Sequence, residues 1–446
     1  MTPVDFIHDL RWSDIPAPVR LRAEMCLLDL LGVAAAASAT TRVSALIRDH
    51  AVEAFGGAVP MLFDARTASA PGAALAAGMT IDSLDGHDGY NPAKGHVGCP
   101  LLPSILSFGH LHGISGEDAM TALVMGYEFG SRAATAQHAT VAEYHTSGSW
   151  GAVTAAAAGA RIAGLGREKT RHALGIAEYH GPRSQMMRCI DTPTNVKDGS
   201  GWGAMCGVSA VQLAARGFTG APAITVEEAP AYWGDLGERW LILEQYFKPY
   251  PVCRWAQAPV EGVLALRRAH GLTSEMVERI EVETFHESVR LAMNRPTDTD
   301  EAQYSTSFPS AVAMVRGGIS AADIADEALN EPEVVRLSTG MVMRESEEAN
   351  TLFPGKRIAR VTLVLKDGRR LEGGVTTPRW DATDPPSEDE IRAKYHVLAD
   401  EALGADRAGA IEAAVHALPK SGFDALTAQL FRPISPVTMS GRSEYV

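Results

Sequence analysis

The chain has 446 residues, of which 46% are hydrophobic and 21% charged, a balance typical of soluble globular proteins. This length exceeds what one compact core normally accommodates, so two domains are expected. The net charge of −14 argues against a nucleic-acid partner, because such partners require a basic surface.

The five cysteines and the apolar segments indicate the cellular compartment of the protein. The cysteines are widely scattered without a C-x-x-C pair, which suits a reducing compartment and argues against a zinc ribbon or a disulfide framework. The longest apolar run, at about 27–37, is too short to span a bilayer, and the start of the chain lacks a basic leader. We therefore expect a cytoplasmic protein with no membrane partner.

The first part of the chain, up to about residue 265, is predicted to be helical. Ser115 and Asp118 form a capping-box pair that opens one helix. Several helices are rich in alanine and glycine, which predicts close packing and burial on several sides. The predicted helices cover about 16–37, 42–55, 115–136, 150–165 and 203–215.

The pattern changes near residue 272. Residues 279–285 alternate polar and apolar side chains, as in a half-buried strand, and 360–375 form a hairpin around Asp367-Gly368. Helices are predicted at 309–315 and 321–329, and Ser387 with Glu390 caps another through Leu403. The predicted fold class is mainly α with an α+β second domain, divided into a helical domain (1–266), an α+β lid (267–385) and C-terminal helices that return to the helical body (386–446).

The densest group of ionisable residues lies at 82–96, between two apolar runs. It contains Asp82, Asp85, His87, Asp88 and His96, together with a lysine. Ionisable groups held between core elements are costly to dehydrate, so they are expected to be paired or used in chemistry. Two alternatives are open: the aspartates are helix caps, or the histidines hold a metal with Asp85 or Asp88, although the spacing fits no standard metal motif.

Further candidates stand in three loops. His145 directly precedes a helix, where free N–H groups favour an anion. Lys197 lies in a glycine-rich turn, and Lys248 and Arg254 lie in a loop stiffened by two prolines. Each has a structural alternative: His145 is a cap or a satisfied core histidine, and the cations are solvated surface groups.

Taken together, these motifs resemble the MmgE/PrpD family, which includes 2-methylcitrate dehydratases, cis-aconitate decarboxylases and iminodisuccinate epimerases. The resemblance rests on motifs that occur in one order along nearly the whole chain. They are Asp-x-x-Asp-Gly-His with a later Gly-His, Tyr-His-x-x-Gly-x-Trp-Gly, Lys-Asp-Gly-x-Gly-Trp-Gly-Ala and Lys-Pro-Tyr-Pro-x-Cys-Arg, with Ala-Gln-Tyr-Ser at 302–305 and a closing helix at 387–395.

The resemblance implies a large helical domain with a smaller α+β lid, an active site in the cleft between them, a homodimer, and no metal or organic cofactor. Carried over by position, it implies catalytic roles for Asp82, His96, His145, Lys197 and Lys248. Lysines can neutralise charge that develops on a carboxylate substrate, and histidines can take and return a proton. Asp82 would orient His96 or His145.

The chain departs from the family pattern at positions expected to line the cleft. His87, Ser200, Cys253 and Phe308 replace other residue types, and with Arg254 they are the predicted substrate-binding residues. The predicted function is a cofactor-independent hydro-lyase, similar to 2-methylcitrate dehydratase, acting on a small di- or tricarboxylate. Decarboxylation, epimerisation, or a non-catalytic carboxylate-binding role are the alternatives.

Overall fold

The computed structural model describes residues 1–434, and it begins with a helical body. The predicted capping box is present, because the Ser115 hydroxyl accepts from the Asp118 N–H at 3.1 Å and the Asp118 carboxylate accepts from the Ser115 N–H at 3.3 Å. The helices before residue 250 are α1 (Pro3–Asp9), α2 (Ala17–Thr40), α3 (Arg42–Ala54), α4 (Ala70–Asp82), α5 (Gly98–His112), α6 (Gly116–Thr140), α7 (Ser147–Ile162), α8 (Arg167–His180), α9 (Met186–Asp191), α10 (Ser200–Ala215) and α11 (Ile224–Glu227).

Small residues let α4, α7 and α10 pack backbone to backbone. A Cβ atom at Gly78 of α4 would lie 2.6 Å from Gly201 Cα, and one at Gly203 of α10 would lie 2.4 Å from the Gly148 carbonyl oxygen. Neither distance is sterically allowed, so glycine is required at both positions. The prediction that these alanine- and glycine-rich helices are buried on several sides is confirmed.

The helical body also contains two short antiparallel ladders, of which the second joins distant parts of the chain. β1 (Val59–Pro60) pairs with β2 (Thr67–Ala68), and β3 (Gly89–Tyr90) pairs with β4 (Gln245–Tyr246). The second ladder places Gly89 opposite Tyr246 and so fixes the 82–96 cluster beside the segment that carries Lys248.

The second region is the predicted α+β part. Its sheet has the order β6-β5-β7-β8, in which β5 and β6 are parallel and the other pairs antiparallel. The predicted hairpin around Asp367-Gly368 is present, with Gly368 at φ +88°. The elements are α12 (Arg254–His270), β5 (Val277–Thr284), α13 (His286–Arg290), α14 (Thr299–Tyr304), α15 (Ser307–Arg316), α16 (Pro332–Thr339), β6 (Val342–Glu345), α17 (Glu347–Leu352), β7 (Ala359–Leu365) and β8 (Arg370–Thr376).

The helix predicted at 321–329 is wrong. The structure has two short 3₁₀ turns there, Ala322–Ile324 and Asp326–Ala328. Ala325 between them is extended, with ψ 156°, and this lets the Asp326 carboxylate accept from the Thr299 N–H at 2.8 Å. Ile324 and Leu329 are still buried, so the apolar pattern reflects packing without a continuous helix.

The chain then returns to the helical body through α18 (Glu388–Leu403), followed by α19 (Ala405–Ala417) and α20 (Phe423–Leu430). The predicted Ser387–Glu390 capping box opens α18, which packs along α2. A Cβ atom at Gly32 of α2 would lie 3.0 Å from Tyr395 Cδ2, which shows how closely these helices approach. The predicted fold class is confirmed, whereas the predicted boundary at residue 266 falls inside α12 and stays a prediction.

Within residues 1–434, α2 is long and apolar enough to cross a membrane by length and composition. However, 78% of its apolar window is buried inside the protein. It contacts α4, α6 and α18. This is the packing of a core helix in a soluble globular protein.

Candidate active site

The 82–96 cluster faces a small cavity between the helical body and the α+β region. The cavity has a volume of about 30 Å³. Four cations, two carboxylates, one imidazole and three phenols converge on it. Its wall consists of Asp85, Lys94, His96, Tyr144, Met186, Ile190, Asp198, Tyr246, Lys248, Cys253, Arg254, Trp255, Tyr304 and Arg357.

Asp85 and Lys248 form a buried ion pair in this wall. The β3–β4 ladder brings them together, and Lys248 Nζ donates to the Asp85 carboxylate and, at 3.1 Å, to the Asp85 carbonyl oxygen. Burial is the largest single influence and would raise the pKa of Asp85, but Lys248 and the other basic groups around it together lower that pKa below its ordinary value. Burial likewise opposes the charge of Lys248, while Asp85 raises the pKa of the lysine overall. Both groups are therefore ionised.

His96 presents an unprotonated ring nitrogen to the cavity. Its Nδ1 lies 2.6 Å from the Asp88 carbonyl oxygen. Since a carbonyl only accepts hydrogen bonds, we assign the hydrogen to Nδ1 and the lone pair to Nε2. Burial and the charge of Lys248 lower the pKa of His96 to about 3, so the ring is neutral at neutral pH. Nε2 lies 3.7 Å from Asp85 Oδ1 and 3.9 Å from Asp198 Oδ2, and a proton gained there would stand between two carboxylates.

Asp198 reaches the cavity from the glycine-rich turn before α10. Its Oδ2 accepts from the Ser147 hydroxyl at 2.8 Å, and its Oδ1 lies 3.4 Å from the Tyr304 hydroxyl. The Ser147 hydroxyl also accepts from the His96 backbone N–H at 2.9 Å. Burial and the nearby charge of Asp82 raise the pKa of Asp198 to about 6. Ser147 thus links the Asp198 carboxylate to the backbone of His96.

Three predicted residues lie behind this wall and support the Asp198 turn. Asp82 Oδ2 accepts from the Ser200 N–H at 3.1 Å, so the carboxylate caps α10, as the structural alternative expected. Lys197 Nζ donates to Gln303 Oε1 at 2.8 Å and lies 3.4 Å from Asp300 Oδ1. Burial raises the pKa of Asp82 to about 6. On its other side, Lys197 borders a larger cavity of about 770 Å³.

Three further predicted residues lie outside the wall. His145 Nδ1 lies 2.9 Å from the Glu143 carbonyl oxygen, so this carbonyl fixes its ring. The ring of His87 stacks edge-on against His96 with centroids 4.2 Å apart. Phe308 packs in the hydrophobic core of α15 and its neighbours.

The expectation that Asp82 orients His96 or His145 is not met. Instead, the Asp88 carbonyl oxygen orients the ring of His96, and the Glu143 carbonyl oxygen orients the ring of His145. The nearest imidazole to Asp82 is instead His87, whose Nε2 lies 3.8 Å from Asp82 Oδ1.

Arg254 and Cys253 line the cavity as predicted. Arg254 Nη2 donates to Asp381 Oδ2 at 2.7 Å, and Nη1 donates to the carbonyl oxygens of Phe247 and Arg379 at 3.1 Å. Its charge is therefore already balanced. Burial raises the pKa of the Cys253 thiol to about 12, so this thiol stays protonated.

The structure adds wall residues that were not predicted. Four of them lie in or beside motifs that the sequence analysis identified, so the sequence could have indicated them. Asp198 and Tyr144 are chain neighbours of predicted residues, Tyr304 belongs to the 302–305 motif, and Lys94 belongs to the first cluster. Tyr246 and Arg357 carry no motif signal, because only the fold brings them to the cavity.

Two groups of side chains have metal-ligand geometry within the described residues. Asp85, His87 and His96 form one, and Asp82, His87 and Cys99 form the other, with ligand atoms within 4.8 Å of one another. In the first group, a metal would have to displace the Lys248 ammonium from Asp85. In the second, burial raises the pKa of the Cys99 thiol well above its ordinary value, which disfavours the thiolate ligand. The arrangement suits proton transfer better than metal binding.

Known proteins are similar to this chain over most of its length. The MmgE/PrpD N-terminal domain matches residues 4–233, and the MmgE/PrpD C-terminal domain matches residues 250–420. The cis-aconitate decarboxylase-like protein oryM of Aspergillus oryzae is 24% identical over 469 residues, which cover 94% of each chain. A cis-aconitate decarboxylase of Aspergillus terreus is 24% identical over 458 residues, covering 92% of this chain and 91% of that protein. The chain therefore belongs to the MmgE/PrpD family, a carboxylate-acting lyase family.

Proposed function

We propose that this protein is a lyase that acts on a small di- or tricarboxylate by moving a proton at a carbon next to a carboxylate. The observation that carries the proposal is the unprotonated Nε2 of His96, which faces an enclosed, cation-lined cavity between two carboxylates. The free lone pair on Nε2 is the acceptor that a general base requires, and the two carboxylates stabilise the imidazolium once it forms.

The proposed mechanism uses groups of the chain itself. His96 Nε2 removes the proton, and the resulting imidazolium is stabilised by Asp85 and Asp198. Charge then accumulates on the substrate carboxylate next to the reacting carbon. Lys248, which stays protonated, stabilises this charge in a cavity that holds little water.

Two reactions fit this proton transfer. In a hydro-lyase reaction of the 2-methylcitrate dehydratase type, the electron pair left on carbon expels a hydroxyl group, which is protonated and leaves as water. In a decarboxylation the proton moves in the opposite direction: a carbon–carbon bond breaks to release CO₂, and the electron pair left on carbon takes a proton from the imidazolium form of His96, which returns to the neutral ring. The sequence motifs suggested dehydration. The names of the curated relatives favour decarboxylation as the second candidate.

Product analysis on a panel of polycarboxylates tests the proposal. Purified protein is incubated with citrate, 2-methylcitrate, cis-aconitate, tartrate and iminodisuccinate. Alkene formation or loss is followed by ultraviolet absorbance and CO₂ release by a coupled assay. Loss of water or CO₂ from one of these compounds, abolished in His96→Gln, supports the proposal. Absence of turnover with every compound would contradict it.

We also propose that the protein is a cytoplasmic homodimer. Trp202 and Leu213 lie on one face of α10 and are 44% and 40% exposed, and Phe218 just after this helix is 51% exposed. Exposed apolar side chains on one helix face favour association, and a second copy is their simplest partner. Sedimentation velocity of the wild type and Leu213→Asp tests this: the proposal expects a dimer that the substitution dissociates, and a wild-type monomer would contradict it.

A further inference from the structure

The cations around the cavity differ in how their charge is balanced. Lys248 is held by Asp85 and Arg254 by Asp381. Lys197, behind the wall, lies beside Asp300. A cation that is already paired with a carboxylate attracts a second one less strongly than an unpaired cation does. Lys248 is thus one cation beside the reacting carbon, and the unpaired cations of the cavity are better suited to hold a distant carboxylate of the substrate.

Lys94 is different. Among the described residues, no carboxylate lies within ion-pair distance of its ammonium group, which stands 4.7 Å from the centroid of the Tyr144 ring. Its backbone is left-handed, with φ +51°, a conformation that costs free energy in a non-glycine residue and often marks a functional site. Burial and the positive charge of Arg357 lower the pKa of Lys94, while the more distant Glu287 raises it.

Arg357 is the second cation of this kind. It is only 6% exposed, and its Nη1 donates to Asn91 Oδ1 at 2.8 Å and to the Pro354 carbonyl oxygen at 3.2 Å. Its Nε–H is buried without a hydrogen-bond partner among residues 1–434, as is that of Arg254, but Arg254 is already paired with Asp381. No ion pair forms to Arg357 within this part of the chain. A buried guanidinium with an unused donor indicates a missing acceptor.

Lys94 and Arg357 line the same cavity, one from the loop before α5 and the other from the segment before β7, and Arg357 donates to Asn91 in the same loop as Lys94. Two like charges enclosed together repel each other, and an anion between them relieves the repulsion and satisfies the unused donors. We propose that Lys94 and Arg357 bind a carboxylate of the substrate other than the one next to the reacting carbon. This inference rests on the proposed function and restricts the substrate to compounds with at least two carboxylates.

Calorimetric titration with two unreactive probes tests the site without requiring turnover. Tricarballylate carries three carboxylates and butyrate carries one. The variants are Lys94→Gln and Arg357→Gln, and Lys356→Gln is the matched control because Lys356 is the exposed neighbour of Arg357. A lost charge-assisted hydrogen bond predicts at least about tenfold weaker binding of tricarballylate in each variant. Binding of butyrate, and of either probe to the control, should stay unchanged.

The possible outcomes separate the two proposals. If the wild type binds tricarballylate but converts no polycarboxylate, the proposed function fails and the site stands. If it converts a polycarboxylate and both glutamine variants bind tricarballylate as the wild type does, the site is overturned. It is also overturned if the wild type binds no tricarballylate. Arg357→Lys keeps the positive charge but lacks the forked donors of arginine, so it should bind tricarballylate more weakly than the wild type and more tightly than Arg357→Gln. If Arg357→Gln does not fold, this variant still distinguishes carboxylate recognition from a purely structural role.

Discussion

At the scale of single residues, the chemistry depends on which histidine presents an unprotonated ring nitrogen to the cavity. His96 does so, with its hydrogen held by the Asp88 carbonyl oxygen, whereas His145 lies outside the wall. We expect His96→Gln to lower kcat by about 10²–10⁴-fold, since this is the usual contribution of a general base. His145→Gln should lower it less. Steady-state kinetics on the substrate found in the panel compare the two, and a larger loss at His145 would assign the base to that residue.

The raised pKa of Asp198 predicts the pH dependence of the reaction. The imidazolium of His96 needs the ionised form of Asp198 beside it, and that form is lost as the pH falls through about 6. The pKa of His96 itself, about 3, is too low to contribute in this range. A plot of kcat/KM against pH should therefore rise through about 6.

Two variants identify the group responsible for this acidic limb. Asp198→Asn should lower activity and remove the limb from what remains. Asp82→Asn should keep the limb but move it to lower pH, because the Asp82 carboxylate caps α10 behind the wall and its charge helps to raise the pKa of Asp198. Loss of the limb in Asp82→Asn alone would show that the wrong carboxylate was assigned.

The sequence motifs indicated which segments form the site, but not how its charged residues are paired. The motifs at 82–96, 144–151, 197–204, 248–254 and 302–305 each contribute a residue to the cavity wall, whereas the closing helix at 387–395 does not. The sequence could not show which cations are paired with a carboxylate. That depends on long-range partners such as Asp381 for Arg254 and Asp300 for Lys197.

At the scale of secondary-structure elements, the α7–α10 contact holds Ser147 and Asp198 in position. Gly203→Ala would place a methyl group 2.4 Å from the Gly148 carbonyl oxygen. We expect the free energy of unfolding to fall by about 1–3 kcal/mol, as for other overpacked cores. Gly409→Ala in α19 has nothing within 4 Å and should raise it by up to about 1 kcal/mol. Urea denaturation measures the free energy of unfolding of both variants. Equal changes in Gly203→Ala and Gly409→Ala would contradict the packing argument.

Most helices and the hairpin were predictable, because caps, periodicity and the Asp-Gly turn are local signals. The ladder β3–β4 and the parallel pairing of β5 with β6 were not, since each depends on partners far apart in the chain. The helix predicted at 321–329 is wrong for a related reason, because the bend at Ala325 accompanies a long-range hydrogen bond from the Thr299 N–H to Asp326.

At the scale of the whole molecule, the C-terminal helix α18 closes the fold onto the first long helix. Buried Lys394 donates to the Asp29 carboxylate and to the Gly86 carbonyl oxygen, which links α18, α2 and the loop that carries Asp85. Lys394→Met leaves Asp29 buried and unpaired, so the free energy of unfolding should fall by about 3–5 kcal/mol.

Urea denaturation again measures this loss. Lys366→Met, at an exposed turn, is the control and should change the value by no more than about 0.5 kcal/mol. Removing both charges in Lys394→Met/Asp29→Leu should restore part of the loss. A single Lys394→Met variant as stable as the control would contradict the linking role of this ion pair.

The central claim is that His96 moves a proton at a carbon next to a carboxylate. Proton NMR in deuterium oxide tests it most directly, by following each polycarboxylate of the panel with the wild type and with His96→Gln. The proposal predicts that the wild type exchanges or eliminates a carbon-bound hydrogen next to a carboxylate of one compound, and that His96→Gln leaves this hydrogen in place. Equal exchange by both proteins, or no exchange or elimination by the wild type with any compound, would contradict it.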